Sequence, residues 1–413
     1  MTETAIPESD STDEGSPSSD GLTLLAEARD LLGDVVAIRR RIHAEPELGL
    51  DLPITQSTVL ESLADLDLEV KCGGSLSSVV ATLVGEAAGP TVLLRADMDA
   101  LPMAEDQDLS FVSRHEGRMH ACGHDAHVAM LLGAARLLSR RRSELRGTVK
   151  FLFQPGEEGY GGAVLCLDEG LLDSPVVDAA FALHVSPNDP SGVLVIKPGP
   201  VLASSDEITL TIRGSGGHAS APHFCVDPVP VAAEIVLALQ TMITRTVDVF
   251  DPAVLTVAKV EAGTTYNVIP DSATMAATLR TVSEATRQKV LDSITRVARN
   301  VAAAHECVAE VAIRPGYPVT VNDPEFVEFS SQVMRDLVGH DQVRELESPV
   351  MASEDWSYVL QRVPGAMAML GACPPGVDPA LAPGCHSSKM QLDEDAMVVG
   401  VATHAAVALA YLA

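Results

Sequence analysis

Apolar and polar positions follow two rhythms along this chain, and the switches between them lay out its elements. Residues 22–43 carry apolar side chains at helical spacing and stop at AEPELG, where Pro and Gly end the run. Short apolar runs of strand length follow at 79–85 (VVATLVG), 91–97 (TVLLRAD), 148–154 (TVKFLFQ) and 180–185 (AFALHV). An amphipathic helical stretch, 124–142, lies between two of them. Strands alternating with helices predict an α/β sheet covered on both faces.

The pattern changes after PGPVLAS at 198–204. A strand at 208–214, a helix at 227–247, strands at 253–263 and 272–280, a helix at 283–304 and a strand at 307–316 follow. That order, βαββαβ, is the ferredoxin-like arrangement. The expected architecture is therefore a discontinuous catalytic domain, 22–200 and 317–413, with an inserted lid domain at 201–316. A length of 413 residues agrees with more than one core. Residues 1–21 are acidic and Ser-rich and read as a disordered tail. The Ala-rich run 396–412 contains His404, is short for a membrane span, and reads as a buried helix.

Composition narrows the partners. Aromatics are 3% of the chain, so Leu, Val, Ile and Ala must build the core. The 57 acidic residues against 28 basic ones give a net charge of −29, which repels nucleic acid and anionic membranes. Neither is an expected partner. The seven cysteines are odd in number, irregularly spaced and free of any CxxC pair. With no cleavable signal pattern, they point to a reducing, cytoplasmic compartment.

Candidate chemistry collects at the strand ends. TVLLR runs into Asp97 and Asp99, TVKFLFQP into Glu157 and Glu158, and AFAL into His184. The segment His120-Ala-Cys122-Gly-His124-Asp125-Ala-His127 opens the amphipathic helix, and Gly384-Cys385-His386-Ser387 lies near the C-terminus. The carboxyl ends of strands in an open α/β sheet line its ligand crevice. Imidazole, thiolate and carboxylate suit zinc and its neighbours, and a pair of such ions activates water near neutral pH. Of two adjacent acids, one can then move protons while the other holds metal. Each piece alone has an ordinary reading: a solvated acid pair, a turn-capping Asp, a core histidine. Their joint placement at strand ends favours the metal site. No HExxH, GxSxG or P-loop is present.

RRRIHAEPELG, LLRADMDALP, GRMHACGHDAHVAMLLGAA, FLFQPGEEG, ALHV, GGHASAPH, NVIPDSA and SEDWSYV together resemble the amidohydrolase branch of the aminoacylase and carboxypeptidase family. That branch includes hippurate hydrolases, N-acetyl-amino-acid deacetylases and hydrolases of indole-acetyl amino acids. The resemblance runs from about Arg39 to the C-terminus. It implies two divalent ions per subunit, zinc or manganese first and cobalt or nickel as alternatives. Cys122 would bridge them, His124 and His184 would complete one, and Glu158 and His386 the other. Glu157 would be the general base. His218 would stabilise the oxyanion in the partner subunit of a homodimer paired through the lid. Asn267 and Arg280 would hold the substrate carboxylate, a role that suits Arg. His43, His120, His127 and His223 belong to matching motifs and read as supporting or structural.

The chain departs from the family pattern at Ser186, where an aromatic is common, and at His386-Ser-Ser-Lys-Met390 in place of HSPxF. Cys385 beside His386 is a further candidate thiolate. The expected reaction is hydrolysis of N-acyl amino acids to an organic acid and an amino acid. A dipeptidase or carboxypeptidase, a non-catalytic binding protein on the same fold, and a hydrolase with Cys122 as nucleophile are the alternatives.

Overall fold

The computed structural model describes residues 15–413, which divide into two compact units. The larger contains the described residues up to Lys197, with Asp323–Leu346 and Val363–Ala413; the smaller contains Pro198–Asn322 and Glu347–Arg362.

The larger unit is built on an eight-stranded mixed sheet. Its order is Glu69–Cys72, Val79–Val84, Arg146–Gln154, Ala87–Asp97, Ala179–Ser186, Gly365–Gly371, Leu194–Ile196 and Val343–Glu345. The four strands from Arg146–Gln154 to Gly365–Gly371 are parallel neighbours. Buried on both faces, such strands read as continuous apolar runs. Phe151, Phe153, Leu93, Leu94 and Phe181 are accordingly inaccessible to solvent. Helix His124–Arg140 packs between this sheet and helices Ser19–His43 and Met397–Tyr411, so nearly every residue in it is buried. That placement explains its Ala- and Leu-rich sequence.

Helix Ser19–His43 starts inside the stretch expected to be a tail. Ser18 caps it by accepting the Gly21 N–H at 3.0 Å. A side chain at Gly21 would collide with the Asp336 carbonyl, so the first turn sits tight against the neighbouring helix. The rest of the expected tail, residues 1–14, lies outside the described residues. Among the described residues no helix is long and apolar enough to cross a membrane.

The smaller unit carries a four-stranded antiparallel sheet in the order Ala253–Ala262, Ser272–Thr281, Asp206–Arg213, Val308–Pro315. Helices Pro228–Thr246 and Glu284–Ala304 pack together over a core of Leu210, Ile235, Met275, Leu279 and Ile294. In chain order these elements run strand, helix, strand, strand, helix, strand. The unit extends beyond the expected 201–316. Glu347–Arg362 joins it because Ala203 donates its N–H to the carbonyls of Val350 and Ala352, and the Tyr358 hydroxyl donates to the Gly316 carbonyl. These contacts leave no periodic trace in the sequence.

Candidate metal centre

Three strands deliver the acidic and imidazole groups of the larger unit to one place. Ala87–Asp97 ends in Asp97 and leads to Asp99; Arg146–Gln154 leads to Glu157 and Glu158; Ala179–Ser186 carries His184. Cys122 precedes helix His124–Arg140, whose N-cap is Gly123 at φ +84°. A side chain at Gly123 would meet Val185 at 2.3 Å, so both the backbone angle and the close approach call for glycine.

The side chains converge as overlapping groups whose possible ligand atoms lie within 4.8 Å of one another: Cys122, His124 and His184; Cys122, Glu158 and His386; His124, Glu157 and Glu158. Six residues expected at the metal site therefore form one cluster, with Cys122 shared by the first two groups. The imidazoles are oriented by backbone. His124 Nδ1 donates to the Asp99 carbonyl at 2.7 Å, and His184 Nδ1 donates to the Val185 carbonyl at 2.8 Å. Each ring is thus held by Nδ1, which leaves Nε2 as the nitrogen that can meet an ion. Nε2 of His184 lies 3.4 Å from Cys122 Sγ, and Nε2 of His124 is buried without a hydrogen-bond partner among the described residues.

The electrostatics match the geometry. Burial opposes charge on His124, yet Asp97, Asp99 and Glu158 outweigh it and push its pKa up to about 9. A buried cluster that holds a proton this firmly is short of positive charge, which divalent cations would supply. The donor set of thiolate, imidazoles and carboxylates fits such ions. His386 Nε2 lies 3.2 Å from Glu158 Oε1, an ion pair without hydrogen-bond alignment. Burial would raise the Glu158 pKa, but His386 and His124 hold it below the usual carboxylate range. His386 adopts φ +66°, and its N–H donates to the Ala121 carbonyl at 2.7 Å, which ties the C-terminal loop to the Cys122 segment.

The backbone bond from His386 to Ala121 brings Cys385 alongside Cys122. That contact, ahead of burial, raises the Cys122 pKa well above its ordinary value and draws Cys385 down to about 6. Cys385 belongs to none of the ligand groups.

Neighbouring polar residues hold the cluster in place. Asp99, whose placement but not role is legible at its strand end, is fully buried and accepts the backbone N–H groups of Glu157 and Glu158. Burial pushes its pKa up to about 6 against the pull of His124 and these N–H groups. His127 lies with Asp97 and His124 in a further group of possible ligand atoms, but both of its nitrogens are engaged. Its Nδ1 donates to Asp97 at 2.5 Å and its Nε2 accepts the Val185 N–H at 2.9 Å. Burial accordingly lowers its pKa to about 4. Behind His124, Asp125 accepts from Arg39 at 3.1 Å and from His43 at 2.8 Å, while His43 Nε2 meets Glu105 at 3.0 Å. With a carboxylate on each nitrogen, His43 overcomes burial and its pKa rises to about 9. Among the described residues His120 finds no hydrogen-bond partner for either ring nitrogen, and burial lowers its pKa to about 3.

His218, Asn267 and Arg280 belong to the smaller unit. Strand Gly217–His218 pairs with Val268–Ile269, and the Asn267 carbonyl accepts the Ala219 N–H at 3.1 Å. His218 and Asn267 are thus close neighbours. The Ser220 backbone N–H donates to His218 Nδ1 at 3.1 Å, so Nε2 carries the ring proton and is a donor. Arg280 lies on strand Ser272–Thr281 and donates to the Thr278 hydroxyl at 2.6 Å and the Leu279 carbonyl at 3.1 Å. Burial lowers the pKa of this half-buried guanidinium against the pull of Asp206 and Glu207.

Residues 93–410 match the model of peptidase family M20/M25/M40. The chain is 38% identical to thermostable carboxypeptidase 2 of Saccharolobus solfataricus over 91% of its own length and 95% of that protein. It is 37% identical to the N-acetylcysteine deacetylase of Bacillus subtilis over 88% of its length and 93% of the relative. The crystal structure of the Bacillus subtilis YXEP protein, a dinuclear metal binding peptidase from the M20 family, superposes with a TM-score of 0.81 at 33% identity. That comparison covers 93% of this chain and 99% of the other. The expected amidohydrolase resemblance is borne out: the chain belongs to peptidase family M20/M25/M40 and is an amidohydrolase.

Proposed function

We propose that this enzyme hydrolyses the amide bond of N-acyl amino acids at a centre of two divalent ions. In this reading Cys122 would be common to both ions, His124 and His184 would help to hold one, and Glu158 and His386 the other. The observation that carries it is the pair of imidazoles tied through Nδ1 to backbone carbonyls and clustered with Cys122 and the Glu157-Glu158 pair. A borderline-soft thiolate with imidazoles suits zinc; manganese, and then cobalt or nickel, are the other candidates. When bound, the ions supply an acidified water and a polarised substrate carbonyl. Glu157 takes a proton from the attacking water and hands it to the departing amine nitrogen, which leaves an organic acid and an amino acid. Asp99 fixes the peptide groups on which Glu157 and Glu158 ride.

The smaller unit, in this reading, is a ferredoxin-like lid through which two copies pair. His218 would donate from Nε2 to the developing oxyanion of the partner copy, an interaction worth about 2.7–4 kcal/mol in comparable sites. Support comes from its tautomer, set by the Ser220 N–H. Asn267 and Arg280 would receive the substrate carboxylate, supported by an Arg280 guanidinium whose hydrogen bonds go to the Thr278 hydroxyl and the Leu279 carbonyl. The free state of all seven cysteines supports a cytoplasmic setting.

Identity to a carboxypeptidase favours a second reading, cleavage at the end of a peptide. A panel of N-acetyl amino acids, N-benzoyl amino acids and dipeptides separates the two. The proposal expects the highest kcat/KM on N-acyl substrates. A clear preference for dipeptides would replace it with the second reading.

A further inference from the structure

We propose that Cys122 and Cys385 form a reversible disulfide when the metal-free enzyme meets a peroxide, and that this bond withdraws Cys122 from the metal centre. The two thiols lie alongside each other although they are far apart in sequence. The backbone hydrogen bond from His386 to Ala121, at 2.7 Å, aligns the two segments side by side. Cys385 is exposed and Cys122 is buried, so an oxidant in solvent reaches Cys385 first. Cys385 lies outside every group of candidate metal ligands, and so remains available for this second chemistry.

The steps balance with hydrogen peroxide as the oxidant. The Cys385 thiolate sulfur attacks one peroxide oxygen, the O–O bond breaks, and Cys385 becomes a sulfenic acid as hydroxide leaves. The Cys122 thiolate sulfur then attacks the Cys385 sulfur, the S–O bond breaks, and a second hydroxide leaves. Each hydroxide takes up one proton released by a thiol. Two thiols and one peroxide give one disulfide and two waters. A reducing thiol reverses the bond by exchange.

The consequence for metal rests on the reading of Cys122 as the bridging ligand. Metals are held by thiolate, and a disulfide sulfur no longer offers one. Ions already in place would occupy the Cys122 sulfur and block the reaction. The thiol pair therefore couples redox state to metal loading: a loaded enzyme resists oxidation, and a stripped one is locked out until reduced.

The test uses the full chain, either metal-loaded or treated with a chelator, exposed briefly to hydrogen peroxide. Free thiols are counted, cross-linked peptides are mapped by mass, and zinc uptake is measured by elemental analysis before and after a reductant. The stripped chain should lose two of its seven thiols. The peptides carrying Cys122 and Cys385 should appear joined, and zinc uptake should fall at least tenfold until reductant is added. The loaded chain should keep its thiols. Cys385→Ser should form no such cross-link and keep its zinc uptake after the same treatment. Absence of the Cys122–Cys385 cross-link, or a cross-linked chain that takes up zinc like the reduced one, would overturn the proposal. Zinc content of reduced Cys122→Ala tests the ligand reading separately, because no disulfide at this pair is then possible.

Discussion

The carboxylate of Asp99 accepts the backbone N–H of Glu157 at 2.9 Å, and its second oxygen accepts that of Glu158 at 3.0 Å. One buried side chain thus sets the position of two adjacent acids, and its own carbonyl orients His124. Asp99→Asn keeps one acceptor but turns an amide N–H₂ toward a backbone donor. Losing a charge-assisted hydrogen bond costs about 1.5–3 kcal/mol, and a displacement of roughly 1 Å at the acids costs about 10²-fold in rate. Steady-state kinetics should show that fall in kcat, with urea unfolding reporting the loss of stability. Unchanged turnover would remove Asp99 from the account.

Glu157 and Glu158 should separate under mutation. Glu157→Gln should retain both ions and lose about 10²–10⁴ in turnover, the usual cost of a general base. Glu158→Gln should lose an ion. Metal analysis beside kinetics checks both, and the opposite pattern would exchange the two roles.

Arg280 should read the free carboxylate of the substrate. Its removal should cost about 1.5–3 kcal/mol of substrate binding, which is roughly 10- to 150-fold in kcat/KM. Wild-type enzyme should prefer a free carboxyl over its amide, and Arg280→Ala should lose that preference. Equal rates on acid and amide by the wild type would contradict the assignment.

His43 gives the protein a pH dependence of known sign. Its pKa rises to about 9 in the fold, because Asp125 and Glu105 outweigh burial, against about 6.5 in an unfolded chain. A raised pKa adds stability that is fully present below about pH 6.5 and is lost as pH rises through about 9. The contribution is at most about 3 kcal/mol. Urea unfolding at a series of pH values should show this decline, and His43→Gln should flatten it. A decline of equal size in the variant would assign it to other groups.

Much of this site is legible in the sequence because its residues sit where local patterns end. Asp97, Glu157 and His184 each close or follow an apolar run, and Cys122 and His124 open an amphipathic helix. The relationships among them are less visible. Nothing local marks the Asp99 carboxylate as an acceptor for Glu157 and Glu158, or brings Cys385 to Cys122. Strand Gly365–Gly371, GAMAMLG, escapes pattern reading because it has no β-branched or aromatic residue. Its small side chains suit a position between Ala179–Ser186 and Leu194–Ile196, a tertiary requirement. Glu347–Arg362 joins the smaller unit through scattered backbone hydrogen bonds, which follow no period.

The central claim is that amide hydrolysis depends on two ions held by the Cys122 cluster. Its most direct test is a titration of chelator-stripped, reduced enzyme with zinc or manganese, following hydrolysis of an N-acetyl amino acid. The account predicts no turnover in the stripped enzyme and full recovery at about two ions per chain, the stoichiometry of a paired site. Turnover that survives complete stripping, or that saturates at a single ion, would contradict it.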